Sequence, residues 1–128
     1  VNAFGASSPA AALGRIDRIT SARVQSIRSL GCTHLVGNYW DTWTAVFHQR
    51  SHGYLPMLWA ITSRAEVAEP LWASFPPEDR RYCQVCGDPM TEYFRIHFHL
   101  PPLRPSSQNG TICRLEPVPA NSSGAQAN

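Results

Sequence analysis

Two short clusters carry the side chains best suited to chemistry. Cys83-Gln84-Val85-Cys86-Gly87 sets two sulfurs at C-x2-C spacing, and His97-Phe98-His99 follows with two imidazoles at H-x-H spacing. Zinc takes four tetrahedral ligands from Cys and His, and two thiolates on one turn can reach the same ion. Cys83, Cys86, His97 and His99 are therefore candidate metal ligands, and Gly87 suits a knuckle whose amides approach sulfur. An H-x-H pair on a strand departs from finger spacing, where the second pair sits on a helix or a second knuckle. The competing reading puts disulfides among the four cysteines, for which three connectivities exist. With Cys83 and Cys86 taken together, Cys32 and Cys113 remain as the other pair. A redox C-x-x-C would need its first cysteine at a helix N-terminus; Gly87-Asp88-Pro89 reads instead as a turn. The spacing leaves metal, disulfide and free thiol open. The reading adopted has no cofactor, and zinc belongs to the metal alternative.

The second candidate is Gly37-Asn38-Tyr39-Trp40-Asp41. In open α/β sheets, ligands bind beyond the carboxyl ends of strands, and a helix N-terminus there offers free amides. Asn38, Tyr39, Trp40 and Asp41 are the candidate ligand-binding residues: hydrogen bonds from Asn38 and Asp41, stacking from the rings. The plainer reading is that Asn38 caps a helix and that Trp40 and Trp43 pack in the core. No catalytic residue is assigned. There is no G-x-S-x-G, and His34, His48 or His52 with Asp41 or Glu66 makes a dyad only on paper. Asn109-Gly110-Thr111 and Asn121-Ser122-Ser123 match the glycosylation pattern, which is common by chance.

The elements that position these groups follow from periodicity. Leu13, Ile16, Ile19, Val24, Ile27 and Leu30 recur at helical spacing, so residues 15–30 are expected as a helix ended by Gly31. A strand follows over 33–37, then a helix over 39–50 with Asn38 as cap, Asp41 in its first turn, and Trp40, Trp43, Val46, Phe47 and Arg50 along one stripe. Residues 54–62 read as a strand, with Pro56 near its start or on an edge. Ser63-Arg64-Ala65-Glu66 matches a capping box and suggests a helix start, and Pro70 must end or kink that helix. Residues 75–79 read as loop and 82–85 as a short strand. Residues 93–100 read as a strand, with Phe94, Ile96, Phe98 and Leu100 on one face. After a Pro- and Ser-rich loop, residues 111–118 read as a final edge strand in a hairpin. Early alternation implies parallel pairing and the last strands imply an antiparallel end. The fold class expected is α/β: one small domain with a mixed sheet of four to five strands flanked by two to three helices.

The chain has 128 residues, 43% of them hydrophobic, which suits one domain with its own core. Residues 1–12 read as a linker or disordered lead-in, 13–119 as the domain and 120–128 as a disordered tail. All 11 basic residues are arginine, read as coding bias, and the net charge is +2. The arginines form no basic block, so no nucleic-acid partner is expected. No apolar run long enough to span a bilayer occurs, and none of these residues is expected to form a signal peptide, which a fragment could have lost. The first residue is Val rather than Met, so a processed protein or an excised fragment is expected.

The run from Leu30 to Trp43, with Gly37-x-Tyr39-Trp40 as its sharpest element, resembles a segment in the C-terminal soluble domains of bacterial multi-spanning membrane glycosyltransferases and related membrane proteins. The resemblance covers about a quarter of the chain, and the C-x2-C and H-x-H clusters are not part of its pattern. It implies an extracytoplasmic domain on the periplasmic face of the inner membrane, partnered by the membrane-embedded portion of the same parent. It also implies an accessory role in binding a glycan or small molecule, because the parent's catalytic carboxylates lie on loops absent here. The alternative is a small cytoplasmic module stabilised by zinc on the Cys/Cys/His/His set.

Overall fold

The computed structural model describes residues 9–55, 57–63 and 72–119. Helix α1 spans Pro9–Leu30, strand β1 His34–Val36, helix α2 Tyr39–Ser51 and strand β2 Trp59–Ile61. A 3-10 turn at Pro77–Asp79 leads to β3 (Tyr82–Val85), then α3 (Met90–His97), β4 (Leu103–Asn109) and β5 (Ile112–Pro117). The five strands form one sheet in the order β2-β1-β3-β5-β4. β1 runs parallel to both β2 and β3, while β3–β5 and β5–β4 are antiparallel. This is the small mixed α/β fold expected from the sequence, with its parallel half first and its antiparallel half last.

Successive residues of a strand face opposite sides of the sheet, and two cores arise from that. Leu35, Ala60, Cys83 and Ile112 pack against Val24 and Ile27 of α1 and Ala45 and Val46 of α2. Val36, Ile61, Tyr82 and Leu115 pack on the other side against Trp72, Phe94 of α3 and Phe98 just after it. Helices α1 and α2 therefore cover one face, and α3 covers part of the other.

Three expectations are corrected. Residues 93–100 are not a strand. Thr91, Phe94 and Phe98 are buried at spacings of three and four, while Ile96 and Tyr93 are exposed, which is a helical pattern. α3 ends in a Schellman motif: the Leu100 N–H reaches the Arg95 carbonyl at 2.8 Å, and the His99 N–H reaches that of Ile96 at 3.1 Å. His99 takes the left-handed conformation (φ 58°) usually given to glycine there. Next, residues 103–109 are strand β4 rather than loop, so β5 lies inside the sheet and β4 forms the edge. Lastly, α1 begins at Pro9 rather than near Arg15. The capping-box residues Arg64, Ala65 and Glu66, together with Pro56, Pro70 and the tail 120–128, lie outside the described residues.

The helical stripes also differ in detail. α2 buries Thr42, Ala45, Val46 and Gln49, so Trp40 and Phe47 face out at 74% and 75% exposure. α1 buries Thr20, Val24 and Ile27 but leaves Ile16 and Ile19 each 53% exposed. Small and amide-bearing side chains let α2 lie close to the sheet, and the large rings are left on the outside.

The cysteines pair as Cys32–Cys83 and Cys86–Cys113, with no free cysteine. Of the three connectivities open to the sequence, the structure has this one and not the one that joins Cys83 to Cys86 and Cys32 to Cys113. Three residues along extended backbone reverse the side-chain direction, so the two sulfurs of C-x2-C leave β3 toward different partners. The bridges span 51 and 27 residues and do not overlap. Loop-closure entropy gives each about 3–4 kcal/mol of stabilisation. Peptide mapping without reductant should find these two bridges and no Cys83–Cys86 link. Replacing either pair by alanine should lower the unfolding free energy by about 3–4 kcal/mol in denaturant titration.

Candidate binding site

The carboxyl end of β1 is a topological switch point. The chain leaves β1 through α2 to β2 on one side and later returns as β3 on the other. Ligands of open α/β sheets sit in this crevice. Gly37 and Asn38 reach it from β1, and Cys86, Gly87 and Asp88 reach it from β3.

The crevice is occupied by the protein's own carboxylate. Asp88 Oδ2 accepts the Asn38 backbone N–H at 2.9 Å and the Asn38 Nδ2–H at 2.9 Å. Its Oδ1 accepts the Met90 N–H at 2.9 Å at the start of α3. The helix N-terminus that would attract an anion already holds one. A Cβ on Gly37 would sit 2.6 Å from Asp88 Oδ2, so glycine is needed there for the carboxylate to approach.

Asn38 and Asp41 belong to the same network. The Asp41 N–H donates to Asn38 Oδ1 at 3.0 Å, the expected N-cap bond. Asn38 Nδ2 also donates to Asp41 Oδ2 at 2.8 Å, and Arg23 donates to Asp41 Oδ1 at 2.7 Å. Asn38 and Asp41 therefore tie α1, α2 and the β3–α3 turn together. The rings of Tyr39 and Trp40 pack with other rings. Tyr39 meets Trp40 edge-on at 5.4 Å and Trp43 at 6.5 Å, and the Trp43 Nε1–H donates to the Ser63 carbonyl at 3.2 Å. With Thr44 and Phe47 they line an open groove of about 320 Å³. It adjoins a second groove of about 350 Å³, between Ile16, Ile19 and Arg23 of α1 and Trp40 of α2. Sequence reasoning points to Asn38, Tyr39, Trp40 and Asp41, and its plainer outcome, Trp40 and Trp43 in the core, holds for Trp43, which packs half-buried against the core, and not for Trp40, which is exposed. The stripe expected along α2 also puts Phe47 inside, whereas it faces solvent.

The metal candidates are not brought together. Cys83 and Cys86 each belong to a separate disulfide. His97 stacks on Tyr93 at 6.1 Å on exposed α3, and His99 supplies the helix end. Among the described residues no group of three or more His, Cys, Asp or Glu side chains is placed to hold a metal ion. The separate disulfides also remove the redox reading of C-x-x-C. Among the described residues no helix is long and apolar enough to cross a membrane.

The paper dyads are also placed. Asp41 is held by Arg23 and Asn38. His48 Nδ1 lies 4.0 Å from Asp17, and the ring stacks on His52 at 4.1 Å. His34 is fully buried on β1, with rings of Trp72, Phe75 and Tyr82 at 6.0, 5.3 and 5.8 Å. Its Nε2 lies 3.4 Å from the Trp72 carbonyl, which can only accept, so Nε2 carries the proton. Nδ1 then accepts from the Thr33 hydroxyl at 2.6 Å. Burial in this aromatic cage, helped by the nearby Arg80 charge, pushes the His34 pKa down to about 4.

Comparison with protein-family models, with curated proteins and with solved structures finds no match to this chain.

This geometry has two measurable consequences. Asp88→Ala removes the acceptor of two backbone amides and one side-chain amide, and should cost about 2–4 kcal/mol in denaturant titration. Asp88→Asn, which keeps one acceptor oxygen, should cost less. For His34, the unfolded chain takes up a proton near pH 6.5 while the folded chain resists it down to about 4. Stability from the neutral ring is complete above 6.5 and is lost progressively as pH falls toward 4. The loss amounts to about 3 kcal/mol. The stability difference between wild type and His34→Gln, measured across that window, should shift by this amount.

Proposed function

We propose that this chain is a non-catalytic binding domain of a bacterial membrane protein, carried on its extracytoplasmic face. Its outward aromatic groove on α2 takes a glycan. The observation that carries this reading is the shelf of Tyr39, Trp40, Trp43 and Phe47. Trp40 and Phe47 are among the most exposed large side chains described. Large exposed apolar groups gathered in one place mark interaction sites rather than ordinary surface. The backbone beneath the shelf is immobilised by the Asn38–Asp41–Asp88 network, so the rings are presented in a fixed arrangement, which lowers the ordering cost of binding. Rings offer stacking faces, and the Thr44 hydroxyl oxygen beside them, its own proton donated to the Trp40 carbonyl at 2.7 Å, can accept from a sugar hydroxyl.

Two further observations support the setting. Paired cysteines are characteristic of oxidising compartments, as an extracytoplasmic domain requires. The run from Leu30 to Trp43, which carries the resemblance to glycosyltransferase-like membrane proteins, is also the run that builds β1, the cap and the shelf. On this reading the partner is the membrane-embedded portion of the same parent, and transfer chemistry lies outside the domain. The zinc-module alternative needs Cys83 and Cys86 as free thiolates, and it is withdrawn because both are bridged.

Trp40→Ala and Phe47→Ala should leave stability within about 0.5 kcal/mol of wild type, because both side chains are exposed. In calorimetric titration with bacterial oligosaccharides, each should weaken binding by about tenfold or more, as for aromatic anchors of other interfaces. Binding that survives both substitutions, or turnover of a lipid-linked sugar by the domain alone, would sink the reading.

A further inference from the structure

Helices α1 and α2 form one layer over the sheet, and its outer side is apolar. α1 turns Thr20, Val24 and Ile27 inward but leaves Ile16 and Ile19 half-exposed, and α2 leaves Trp40 and Phe47 largely exposed. These side chains form one patch. Three open grooves meet there and all are walled by Thr44; Ile16, Trp40 and Phe47 each belong to two of them. The aromatic shelf is therefore one end of a larger surface, which α1 extends through Ile16 and Ile19. A contiguous apolar surface of this kind marks a contact site.

The positive charge of the molecule sits on the same layer. α1 and α2 carry five arginines, Arg15, Arg18, Arg23, Arg28 and Arg50, against two aspartates, Asp17 and Asp41. The other described residues carry five arginines against five acids, so they balance. Within the layer Asp41 is paired with Arg23, and Asp17 lies at the rim of the patch, 4.0 Å from His48 Nδ1. Arg15 and Arg18 are exposed beside the patch. Arg15 stands one helical turn before Ile19, and Arg18 is on the opposite side of α1 from buried Ile27.

The occupant must suit both features. A second copy of this chain would bring one positive face against another, and that repulsion disfavours it. Protein anchors fill closed, well-packed pockets, whereas here the large side chains project beside open grooves. Arginine beside Trp, Phe and Ile on a helical face is the composition of an interfacial membrane contact. Apolar groups enter the acyl boundary while arginines stay with the anionic headgroups.

We infer that the outer side of the α1–α2 layer docks on an anionic lipid surface. Ile16, Ile19, Trp40 and Phe47 sit at the acyl boundary, and Arg15 and Arg18 lie among the headgroup phosphates. This goes beyond the glycan reading, because Ile16, Ile19, Arg15 and Arg18 do not line the shelf groove. Trp40 and Phe47 belong to both surfaces, so lipid and oligosaccharide exclude each other there.

The test is cosedimentation of the full chain with vesicles of phosphatidylcholine alone and of equal parts phosphatidylcholine and phosphatidylglycerol. The chain should bind the mixed vesicles, bind the neutral ones about tenfold more weakly or less, and leave the mixed ones as salt rises. Tryptophan emission should shift to the blue on binding, and Trp40→Phe should remove most of that shift. Ile16→Ser combined with Ile19→Ser should weaken binding to mixed vesicles by about tenfold or more. Arg15→Gln and Arg18→Gln should each weaken it by about fivefold. All these positions are exposed, so melting temperatures should stay near that of wild type. The inference is overturned if mixed vesicles leave the chain in the supernatant, if neutral vesicles bind it equally, or if the Ile16/Ile19 variant binds as wild type does. A dimer in sedimentation that this variant abolishes would overturn it in favour of a second copy. Polyglutamate binding as tightly as the vesicles would overturn it in favour of an acidic protein. Vesicle binding without oligosaccharide binding would support it and count against the shelf reading, and oligosaccharide binding without vesicle binding would do the reverse.

Discussion

The fold depends on how β3 is held. It has only four residues, yet it joins the parallel half of the sheet to the antiparallel half. On one side it pairs with β1 through just two residues in register, His34 with Tyr82 and Leu35 with Cys83. So short a ladder is weak by itself, because few hydrogen bonds offset the cost of ordering the chain. The covalent links make up for it. Cys32–Cys83 ties β3 to the segment between α1 and β1, and Cys86–Cys113 ties the residue after β3 to β5. Between them the bridges hold the join from both sides, and each closes a loop long enough to remove substantial entropy from the unfolded chain.

With β3 fixed, the residues just beyond it fall in a defined place, and Asp88 lands in the switch-point crevice. The common use of that crevice is to bind an external ligand through a helix N-terminus. Here the site is filled internally, so its donors serve architecture. Asp88 satisfies Asn38 and Met90 together, and so sets α2 and α3 relative to each other at the carboxyl ends of β1 and β3. This shifts any binding role outward from the crevice. On α2 the polar cap turns inward and the aromatic rings of the next turns turn out. On α3 the first turn is anchored.

The parts of the fold legible in the sequence are those encoded by local chemistry. Asn38 followed by Asp41 is a cap that works wherever the chain places it, and Tyr82–Val85 is bounded by turn residues on its far side. The order of helices and strands is enough to divide the sheet into parallel and antiparallel halves. The strand reading of 93–100 fails because Phe94 and Phe98 are four apart, a spacing that satisfies both a strand face and a helix face. Only Ile96 and Leu100 distinguish the two, and a tertiary contact decides: Leu100 is buried as the residue after the left-handed turn, and Ile96 is not buried at all. Asp88-Pro89 does carry a helix-start signal, an acceptor and then a residue preset for the first turn. The end carries none, because His99 stands where glycine would have announced it.

The aromatic shelf escapes the sequence pattern for a related reason. Hydrophobic periodicity assumes that the largest apolar side chains face the core. Along α2 the rings at Trp40, Trp43 and Phe47 and the smaller residues at Thr42, Ala45 and Val46 form two competing stripes. The sheet beneath α2 presents Leu35, Ala60 and Cys83, on which the smaller stripe packs; Trp43 packs half-buried against the same core, while Trp40 and Phe47 face solvent. A single sequence cannot show the width of the space a helix must enter. The cysteine pairing shares this limit, since partners far apart in the chain are set by strand order. In both cases the residues that sequence reasoning misplaces are the ones left facing solvent or bridging elements. Those are the positions at which a binding domain differs from a packed scaffold.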